Sequence, residues 1–418
     1  MNILFATDVS IEKIIGGAER VLFEQSTRLA ARGHSVHLIT RRLPGHQTDR
    51  ETVRGVEEVR CAFEPKGGLR SVAKTWSQAR QHLERLHERL PIDCLNIHQP
   101  LTAFGLISQA AALGIRSVYT CHSLSAEEYL SRQTGCGTAG RLMRRVRAEG
   151  RNWIEGRVLR RCNTIIALSR YTQQKLWRVH GISNDRVEIV PGGVDLARFH
   201  PAGDKAAARR ELSIPEDRFV LLTVRNLVPR MGLDNLVQAM EGAARRVPKA
   251  LLVIGGHGPL RDELQHLVNH LGLQNHVRIA GFIPEEMLVR YYQMADLFVL
   301  PSIDLEGFGM VTLEALACGL PVLGTPVGGT REILTRWDER FLLSDHRPQT
   351  LAQGIIDCHR RLDARAGEAA AISRRCREIV ENHYSWDRNV AALESIFAGA
   401  RRSAPEPRAV LRVGEARH

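Results

Sequence analysis

The sequence predicts an α/β protein with two doubly wound domains. The chain has 418 residues, which exceeds the size at which a single hydrophobic core stops growing. Short and almost continuously apolar segments recur through both halves, as is typical of strands in parallel sheets that are covered on both faces. Longer amphipathic segments separate them, as crossover helices would. We therefore expect each half to bind ligands beyond the C-terminal ends of its strands.

The first half contains five segments with the character of buried strands. They are Asn2–Ala6, Ser35–Thr40, Cys94–His98, Ser117–Thr120 and Thr164–Ala167. The amphipathic segment Glu19–Arg32, between the first two of them, predicts a helix. We place the first domain at residues 1–195.

The second half repeats this arrangement with five further predicted strands. They are Phe219–Val224, Ala250–Ile254, Val277–Ala280, Leu297–Leu300 and Pro321–Gly324. Residues 196–218, which contain Pro201, Gly203 and Pro215, are predicted to connect the two domains. We place the second domain at residues 219–385. We expect residues 386–402 to form a C-terminal helix that returns to the first domain, and residues 403–418 to be a disordered tail.

The composition is that of an ordinary globular protein, with 44% hydrophobic and 25% charged residues. The longest apolar runs, such as Phe219–Val224, are too short to span a bilayer. The N-terminal segment MNILFATDVS has the character of a strand and not of a signal peptide. The eight cysteines include no C-x-x-C pair, which fits a reducing compartment and argues against structural zinc. We therefore expect a cytoplasmic protein.

Positive charge is concentrated in the first half of the chain. Residues 1–200 hold 30 Lys and Arg against 19 Asp and Glu, a balance of +11, whereas residues 201–418 hold 28 against 27, a balance of +1. A basic face predicts an anionic partner, which is nucleic acid, a phosphorylated substrate or an acidic membrane surface. No nucleic-acid recognition motif is present, so a nucleic-acid partner is not expected. Arginine usage driven by genome composition is the alternative explanation.

The usual motifs for binding phosphates are absent or out of context. No G-x-x-x-x-G-K-[ST] occurs, which argues against a P-loop ATPase. Residues 135–140 match G-x-G-x-x-G, but they follow a helix-like stretch instead of a strand, so we interpret them as a loop. No Asp-x-Asp pair exists to hold a divalent metal on a bound diphosphate. We therefore expect no metal and no other cofactor, and we expect arginines and helix N-termini to neutralise phosphates.

The most informative segment runs from Glu306 to Glu314, shortly after the predicted strand Leu297–Leu300. A glycine-bearing turn is followed by a helix that is expected to begin near Met310. The free N–H groups and the positive end of such a helix form a site for a phosphate or for sugar hydroxyls. Glu314, about one turn inside the helix, is a candidate to hold a ribose diol, while Glu306 faces a sugar. The alternative is that Glu314 is a helix-surface acid and the glycines merely turn the chain.

This segment resembles the E-x-x-x-x-x-x-x-E motif of family 4 of the retaining glycosyltransferases. The resemblance extends from residue 1 to about residue 400, and further landmarks recur in order. They are Gly16–Glu19, Val190–Asp195 followed by Phe199, Leu252–Leu260, and Pro321–Val322 followed by Val327–Gly329. Members of this family have the GT-B architecture, in which two Rossmann-like domains face a central cleft. The resemblance implies transfer of a hexose-type sugar from a nucleotide-diphosphate sugar to a saccharide or lipid-linked acceptor, with retention of the anomeric configuration.

The resemblance also implies roles for residues of the second domain. Glu306 matches the glutamate that lies against the donor sugar, and Glu314 matches the one that binds the ribose hydroxyls. The backbone N–H groups of Gly309, Met310 and Val311 match those that reach the sugar or the phosphates.

Three residues of the first domain match family positions on the other side of the cleft. Gly16 and Gly17 match the glycine loop that approaches the diphosphate, where a side chain would collide with it. His122 matches a histidine that contacts the donor sugar. The alternative for His122 is a histidine at the end of a strand whose hydrogen bonds are satisfied by the backbone.

Arg225 matches the family arginine that clamps the diphosphate, because a guanidinium supplies permanent and bidentate positive charge in place of a metal. The family usually has a lysine six positions later, but this chain has Met231. The neighbouring Arg230 is a candidate substitute, since a long side chain one residue earlier can reach a similar point. A chain that has lost this contact also fits a second hypothesis, a non-catalytic partner subunit that binds sugar or nucleotide. A nucleotide-sugar epimerase on a similar fold is the third.

Residues 141–161 form a predicted basic helix with eight arginines and two glutamates. Its apolar residues, including Leu142, Val146 and Trp153, recur near helical spacing. A helix of this kind can lie on an anionic membrane surface, which would place the protein at the inner face of the membrane. The alternative is a helix with a solvated arginine face that leads into the buried strand Thr164–Ala167.

Overall fold

The computed structural model describes residues 1–12, 16–43, 45–63, 68–131, 138–363 and 366–399. The motif at 135–140 lies partly outside these residues, as does the end of the predicted C-terminal helix, and the predicted tail at 403–418 lies wholly outside them. Two separate sheets account for all the strands of this part of the chain. Both halves are α/β and have Rossmann-like sheets, so the predicted fold class is confirmed.

The first sheet has eight strands in the order β3-β4-β2-β1-β5-β6-β7-β8. The strands are β1 Asn2–Ala6, β2 Ser35–Arg41, β3 Arg50–Val53, β4 Val56–Cys61, β5 Cys94–Ile97, β6 Arg116–Cys121, β7 Thr164–Ala167 and β8 Val187–Ile189. The helices of this half are α1 Gly17–Ala31, α2 Gly68–Arg89, α3 Pro100–Ala112, α4 Ser125–Ser131, α5 Thr138–Arg161 and α6 Arg170–His180. All five strands predicted from the sequence lie in this sheet, and they are buried because helices cover both faces.

The expectation of a purely parallel sheet is wrong at one edge. Strand β3 pairs with β4 in antiparallel orientation, with Arg50 opposite Val59 and Val53 opposite Val56. The two residues between these strands, Arg54 and Gly55, both have positive φ angles, as a tight hairpin turn requires. Because β3 is mostly exposed, its sequence lacks the apolar run that identifies the inner strands.

The second sheet has five parallel strands in the order β11-β10-β9-β12-β13. They are β9 Phe219–Val224, β10 Ala250–Gly255, β11 Val277–Gly281, β12 Leu297–Leu300 and β13 Val322–Gly324, in agreement with the predicted positions to within one residue. The helices of this half are α7 Lys205–Glu211, α8 Leu233–Arg246, α9 Arg261–His270, α10 Leu288–Met294, α11 Met310–Ala317, α12 Gly328–Trp337, α13 Pro348–Asp363 and α14 Ala366–His383.

The segment predicted to connect the domains is packed onto the second half. It contains α7, and the buried guanidinium of Arg209 on that helix donates to the Asp296 carboxylate at 2.6 Å. Phe199 and Ile214, at either end of the segment, belong to the core of the second sheet. The last described helix, α15 Trp386–Phe397, lies against the first half, where its apolar side chains join the core around β1.

The two halves meet where the strands of both sheets have their C-terminal ends. The Ser169 hydroxyl, just before α6, donates to the carbonyl of Gly307 at 2.8 Å. The Glu332 carboxylate of α12 accepts hydrogen bonds from the N–H groups of Arg170 and Tyr171 at 3.0 and 2.8 Å, and so caps α6 from the other half. These contacts form the floor of a cleft between the sheets.

Across the part of the chain that the structure describes, no helix is both long and apolar enough to cross a membrane.

Candidate active site

The N-terminus of α11 lies at the centre of the cleft, where the sequence predicted it. Gly309 precedes the helix with a φ of +93°, a left-handed conformation that suits glycine. A Cβ atom on Gly309 would collide with the Thr330 hydroxyl, and this hydroxyl has no hydrogen-bond partner among the described residues. The first N–H groups of a helix have no partner within it, so Met310 and Val311 offer donors to a ligand at this end.

Arg225 and Glu306 form a buried ion pair beside this helix end. Each residue is 8% exposed, and Nη2 of Arg225 contacts Oε2 of Glu306. The Ser302 hydroxyl donates to the same carboxylate oxygen at 3.0 Å and accepts from Arg225 Nη2 at 3.3 Å. Arg225 directly follows strand β9 and Glu306 lies on the loop after β12, so the fold brings these two candidate residues together.

Met231 also contacts the Arg225 guanidinium. Its sulfur lies 2.7 Å from Nη2 and 3.2 Å from Nε of Arg225, and the residue is buried. A thioether is only a weak acceptor, so Met231 packs against the guanidinium without neutralising it. Glu306 is therefore the main counter-charge of Arg225 in the absence of a ligand.

Arg230 lies in the turn between β9 and α8 and contacts the loop that carries Glu306. Its Nη1 donates to the carbonyl of Leu305 at 3.0 Å, while its own carbonyl accepts from the N–H of Ile303 at 2.9 Å. Leu305 has a positive φ of 55°, a conformation that is uncommon for a residue with a side chain. Arg230 thus supports the shape of this loop and lies one residue away from the position of the missing lysine.

Glu314 is buried within α11 and accepts a hydrogen bond from the Tyr292 hydroxyl at 2.8 Å. Burial raises the pKa of Glu314, while the Tyr292 hydroxyl and the nearby guanidinium groups of Arg20 and Arg198 act in the opposite direction. This carboxylate therefore lies inside the molecule, which excludes the alternative of a helix-surface acid. Tyr292, Arg20 and Arg198 could not be identified from the sequence, because each comes from a different part of the chain.

The glycine loop of the first half faces the same helix end. A Cβ atom on Gly17 would lie 3.6 Å from Cγ of Met310. Gly16 precedes α1 in extended conformation, so the N-termini of α1 and α11 approach each other across the cleft. Two positive helix ends at one point favour an anionic group between them.

His122 follows β6 on the first-half wall, and its carbonyl would collide with a Cβ atom on Gly307 of the motif loop. Its Nε2 lies 2.9 Å from Nδ1 of His98, which directly follows β5. Burial lowers the pKa of His122 from 6.5 to about 4, and it lowers that of His98 well below its usual value. His122 is therefore neutral near pH 7 and can both donate and accept hydrogen bonds. His98 was missed, because His122 was identified from the family resemblance and no such match pointed to His98.

The depressed pKa of His122 predicts a pH dependence of stability. The histidine binds a proton at about pH 6.5 in the unfolded state but only near pH 4 in the folded state. The contribution of His122 to the free energy of unfolding is therefore complete above pH 6.5 and falls as the pH drops from 6.5 to 4. The fall is at most about 1.4 kcal/mol per pH unit for one proton. We expect the difference in thermal midpoint between the parent and His122→Asn to shrink from pH 7.5 to pH 4.5. The exposed His266→Asn variant is the control, and its difference should stay constant. A His122→Asn difference that also stays constant contradicts the depressed pKa.

The facing Rossmann-like sheets, with Arg225, Glu306 and the α11 N-terminus between them, define a glycosyltransferase of the GT-B class. Two family models match the chain, "Glycosyltransferase Family 4" over residues 15–198 and "Glycosyl transferases group 1" over residues 204–370. A D-inositol 3-phosphate glycosyltransferase of Kineococcus radiotolerans is 30% identical over 81% of this chain and 81% of its own length. The chain belongs to family 4 of the glycosyltransferases, as the sequence motifs indicated.

Two further proteins extend the comparison. A GDP-mannose-dependent alpha-(1-6)-phosphatidylinositol monomannoside mannosyltransferase of Mycolicibacterium smegmatis is 33% identical over 57% of this chain, and this match spans 63% of that relative. The crystal structure of Anabaena Alr3699/HepE in complex with UDP and glucose has a TM-score of 0.74, with 19% identity, and the match covers 95% of this chain and 99% of that one. At this identity, the structural likeness concerns the fold.

Proposed function

We propose that this protein is a retaining glycosyltransferase that moves a hexose-type sugar from a nucleotide-diphosphate sugar to an anionic saccharide or a lipid-linked acceptor. The observation that carries the proposal is the buried Arg225–Glu306 pair at the N-terminus of α11, opposite Gly17. A bound diphosphate would replace Glu306 as the partner of Arg225. A relative whose name includes GDP-mannose supports a nucleotide-sugar donor. Names that include inositol 3-phosphate and phosphatidylinositol support a phosphate-bearing acceptor. We propose that the reaction belongs to cell-envelope polysaccharide or glycolipid synthesis.

In this mechanism the protein stabilises charge that develops on the departing diphosphate. Arg225 and the helix end supply fixed positive charge in a site from which most water is excluded, which is where such groups contribute most. Glu306, released from Arg225, would accept hydrogen bonds from sugar hydroxyls, and Glu314 would accept from the ribose. Neutral His122 would contact the sugar from the first half. The leaving diphosphate itself would take the proton of the attacking acceptor hydroxyl, so we assign no protein group as general base.

We also propose that the reaction needs no metal ion. Within the described residues, no group of three or more His, Cys, Asp or Glu side chains is placed to hold one. The Arg225 guanidinium and the helix end would carry the charge that a divalent cation provides in other enzymes.

The test is the release of nucleoside diphosphate from a panel of nucleotide sugars, beginning with GDP-mannose and UDP-glucose, in the presence of excess chelator. We expect slow release from at least one donor and thermal stabilisation by the same donor. Thermal stabilisation by a donor without release or transfer would favour the hypothesis of a non-catalytic partner subunit. That hypothesis is kept because Met231 stands where the family usually has a lysine. A sugar of changed configuration among the products formed without any acceptor would indicate an epimerase. Inhibition by chelator that added metal reverses would contradict the arginine clamp.

We further propose that the N-terminal part of α5, residues 142–147, rests on an anionic membrane surface. Leu142, Met143 and Val146 are 67%, 55% and 59% exposed, which is unusual for apolar side chains on a soluble helix. The exposed arginines Arg145 and Arg147 lie next to Val146 on either side. Apolar side chains interleaved with arginines are typical of a helix that lies on a membrane surface. The apolar side chains enter the headgroup region, and the arginines pair with acidic lipids.

Vesicle co-sedimentation tests this surface. We expect the parent to bind vesicles that contain acidic lipid and to lose most binding at high salt, because surface charges are screened within about 10 Å. The variant with Arg145→Glu and Arg147→Glu should bind at least about tenfold less, since each basic contact contributes on the order of 1 kcal/mol. The control carries the same charge change on α8, Arg245→Glu with Arg246→Glu, and should bind like the parent. Equal binding by both variants would remove α5 from the interface.

A further inference from the structure

A row of four hydrogen-bonded polar side chains runs from the interior of the first sheet to His122. Asn96 lies on β5, and His98 follows that strand two residues later, so their side chains share one face of the sheet. Thr120 lies on β6, and His122 follows it with the same spacing. Asn96 and Thr120 are fully buried, and His98 is 3% exposed. Because water has no access to these three groups, they depend on one another for hydrogen bonds.

Thr120 sets the orientation of the Asn96 amide. Oγ1 of Thr120 lies 2.9 Å from Oδ1 of Asn96, which is the one acceptor for this hydroxyl in the described part of the chain. If the amide were turned over, its NH2 group would face the hydroxyl, and the buried hydroxyl proton would lose its acceptor. Such an orphaned donor is costly. The amide oxygen therefore faces Thr120, and the amide nitrogen is directed to His98.

Asn96 in turn determines which ring nitrogen of His98 carries the proton. Nδ2 of Asn96 lies 3.2 Å from Nε2 of His98. An amide nitrogen only donates, so Nε2 of His98 is an acceptor and the proton is on Nδ1. A protonated His98 ring would set an N–H against the amide N–H, and burial also lowers the pKa of His98 well below its usual value. The neutral ring is therefore the one that fits.

The main chain and a neighbouring ring hold His98 in this orientation. Its N–H donates to the carbonyl of Ala6 at 2.9 Å, and its ring centre lies 5.5 Å from that of Phe5. A flipped His98 ring would put carbon atoms against Asn96 and His122 in place of Nε2 and Nδ1. Both hydrogen bonds would then be lost, so the observed orientation is favoured.

The position of the proton on His122 follows from the same reasoning. Nδ1 of His98, which carries a proton, lies 2.9 Å from Nε2 of His122 and donates to it. Nε2 of the neutral His122 ring is thus an acceptor, and the proton of this ring is on Nδ1. Nδ1 of His122 has no hydrogen-bond partner among the described residues and is not a buried atom, so it is open to a ligand.

We propose that Asn96 and His98 are positioning residues that fix the proton of His122 on Nδ1, so that His122 donates a hydrogen bond to an oxygen of the transferred sugar. The proposal rests on the glycosyltransferase function proposed above, because the sugar belongs to the donor of that reaction. The ionised carboxylate of Glu306 only accepts, so the two walls of the cleft would offer the sugar one donor and one acceptor. Without the row, His122 could carry its proton on Nε2 and turn a lone pair toward the sugar oxygen.

The first test is the 15N NMR spectrum of the protein labelled at histidine, which distinguishes protonated from unprotonated ring nitrogens. The signals of His122 are those that His122→Asn lacks, and at pH 7.5 we expect its proton on Nδ1 in the parent. His98→Leu removes the donor and should move the proton at least partly to Nε2. The control Asn163→Leu removes a polar side chain that bonds to β6 away from the row, and it should leave these signals unchanged. A proton found on Nε2 of His122 in the parent, or shared between both nitrogens, overturns the proposal.

The second test measures the release of nucleoside diphosphate from the panel of nucleotide sugars that begins with GDP-mannose and UDP-glucose. For a donor that the parent cleaves, His98→Leu should lower kcat at least about fivefold, the effect of one hydrogen bond to the sugar in the transition state, and should change KM much less. Binding of the nucleoside diphosphate, which lacks the sugar, should equal that of the parent. His98→Asn keeps an amide donor near the position of Nδ1 and should recover most of the activity. Asn163→Leu should release diphosphate like the parent.

Failure of this proposal and failure of the proposed function give different results. A parent that cleaves no donor of the panel contradicts the proposed function, whereas the NMR spectrum decides the position of the His122 proton without any donor. Nucleoside diphosphate binding that falls in His98→Leu as much as release does would show that the row only supports the fold, and it overturns the positioning role. Release by His98→Leu at the rate of the parent overturns it as well.

Discussion

Replacing Arg225 by alanine is expected to lower the affinity for a nucleoside diphosphate by on the order of 30- to 1000-fold, equivalent to about 2–4 kcal/mol. The guanidinium is buried beside the α11 N-terminus and has Glu306 as its main counter-charge. Without it, a diphosphate would meet the uncompensated carboxylate of Glu306 instead of a cation. Calorimetry with the nucleoside diphosphate and with the nucleoside alone measures the effect, and the nucleoside should lose much less.

Controls for this variant address folding and the missing lysine. Because loss of Arg225 also leaves a buried charge unpaired, the double variant Arg225→Ala with Glu306→Gln should recover thermal stability without recovering diphosphate affinity. Met231→Lys adds a cation beside Arg225 and is expected to strengthen diphosphate binding. Equal losses for nucleoside and diphosphate in Arg225→Ala would show that the arginine acts elsewhere. A clear loss in Met231→Lys would mean that the site is built around the methionine.

Replacing Glu314 by alanine is expected to weaken nucleotide-sugar binding by on the order of 1–3 kcal/mol, roughly 5- to 150-fold. The carboxylate is buried and accepts from Tyr292, and its remaining acceptor capacity is available to a ribose diol. Alanine would leave those hydroxyls without a partner after they have lost water. Thermal shift and calorimetry with whichever nucleotide sugar binds the parent measure the loss.

The control for Glu314 is Tyr292→Phe, which removes the same internal hydrogen bond but keeps the carboxylate. It should reduce stability modestly and retain most of the nucleotide-sugar affinity. Equal loss of affinity in both variants would indicate that Glu314 supports the packing of α11 and does not contact the donor. Unchanged affinity in Glu314→Ala would remove it from the site.

The sequence predicted the inner strands well because burial on both faces requires a continuous apolar run, as in Phe219–Val224. It missed β3, β4 and β8 for physical reasons. Strand β3 is mostly exposed, β4 contains three charged residues, and β8 has only three residues. The antiparallel pairing of β3 with β4 follows from the hairpin turn at Arg54 and Gly55. An Arg-Gly pair is not a typical hairpin sequence, so the sequence did not indicate this turn.

Residues of the candidate site were predictable where they lie close together in sequence. Glu306 and Glu314 were found because one turn and one helix fix their spacing. Tyr292, the partner of Glu314, and His98, the partner of His122, were not found, because side chains from separate elements meet only after their sheet has formed. The partial burial of Arg151 could not be deduced either. Arginines occur all around α5, and the packing of α3 and α4 against this helix decides which of them is covered.

The most direct measurement is a crystal structure of the protein with a bound nucleoside diphosphate, chosen from those that stabilise it. We expect the phosphates at the N-terminus of α11, with Arg225 turned from Glu306 to a phosphate oxygen and the ribose hydroxyls on Glu314. Gly17 should lie against the diphosphate from the first half. A nucleotide bound elsewhere, with the Arg225–Glu306 pair intact, would contradict the proposed donor site.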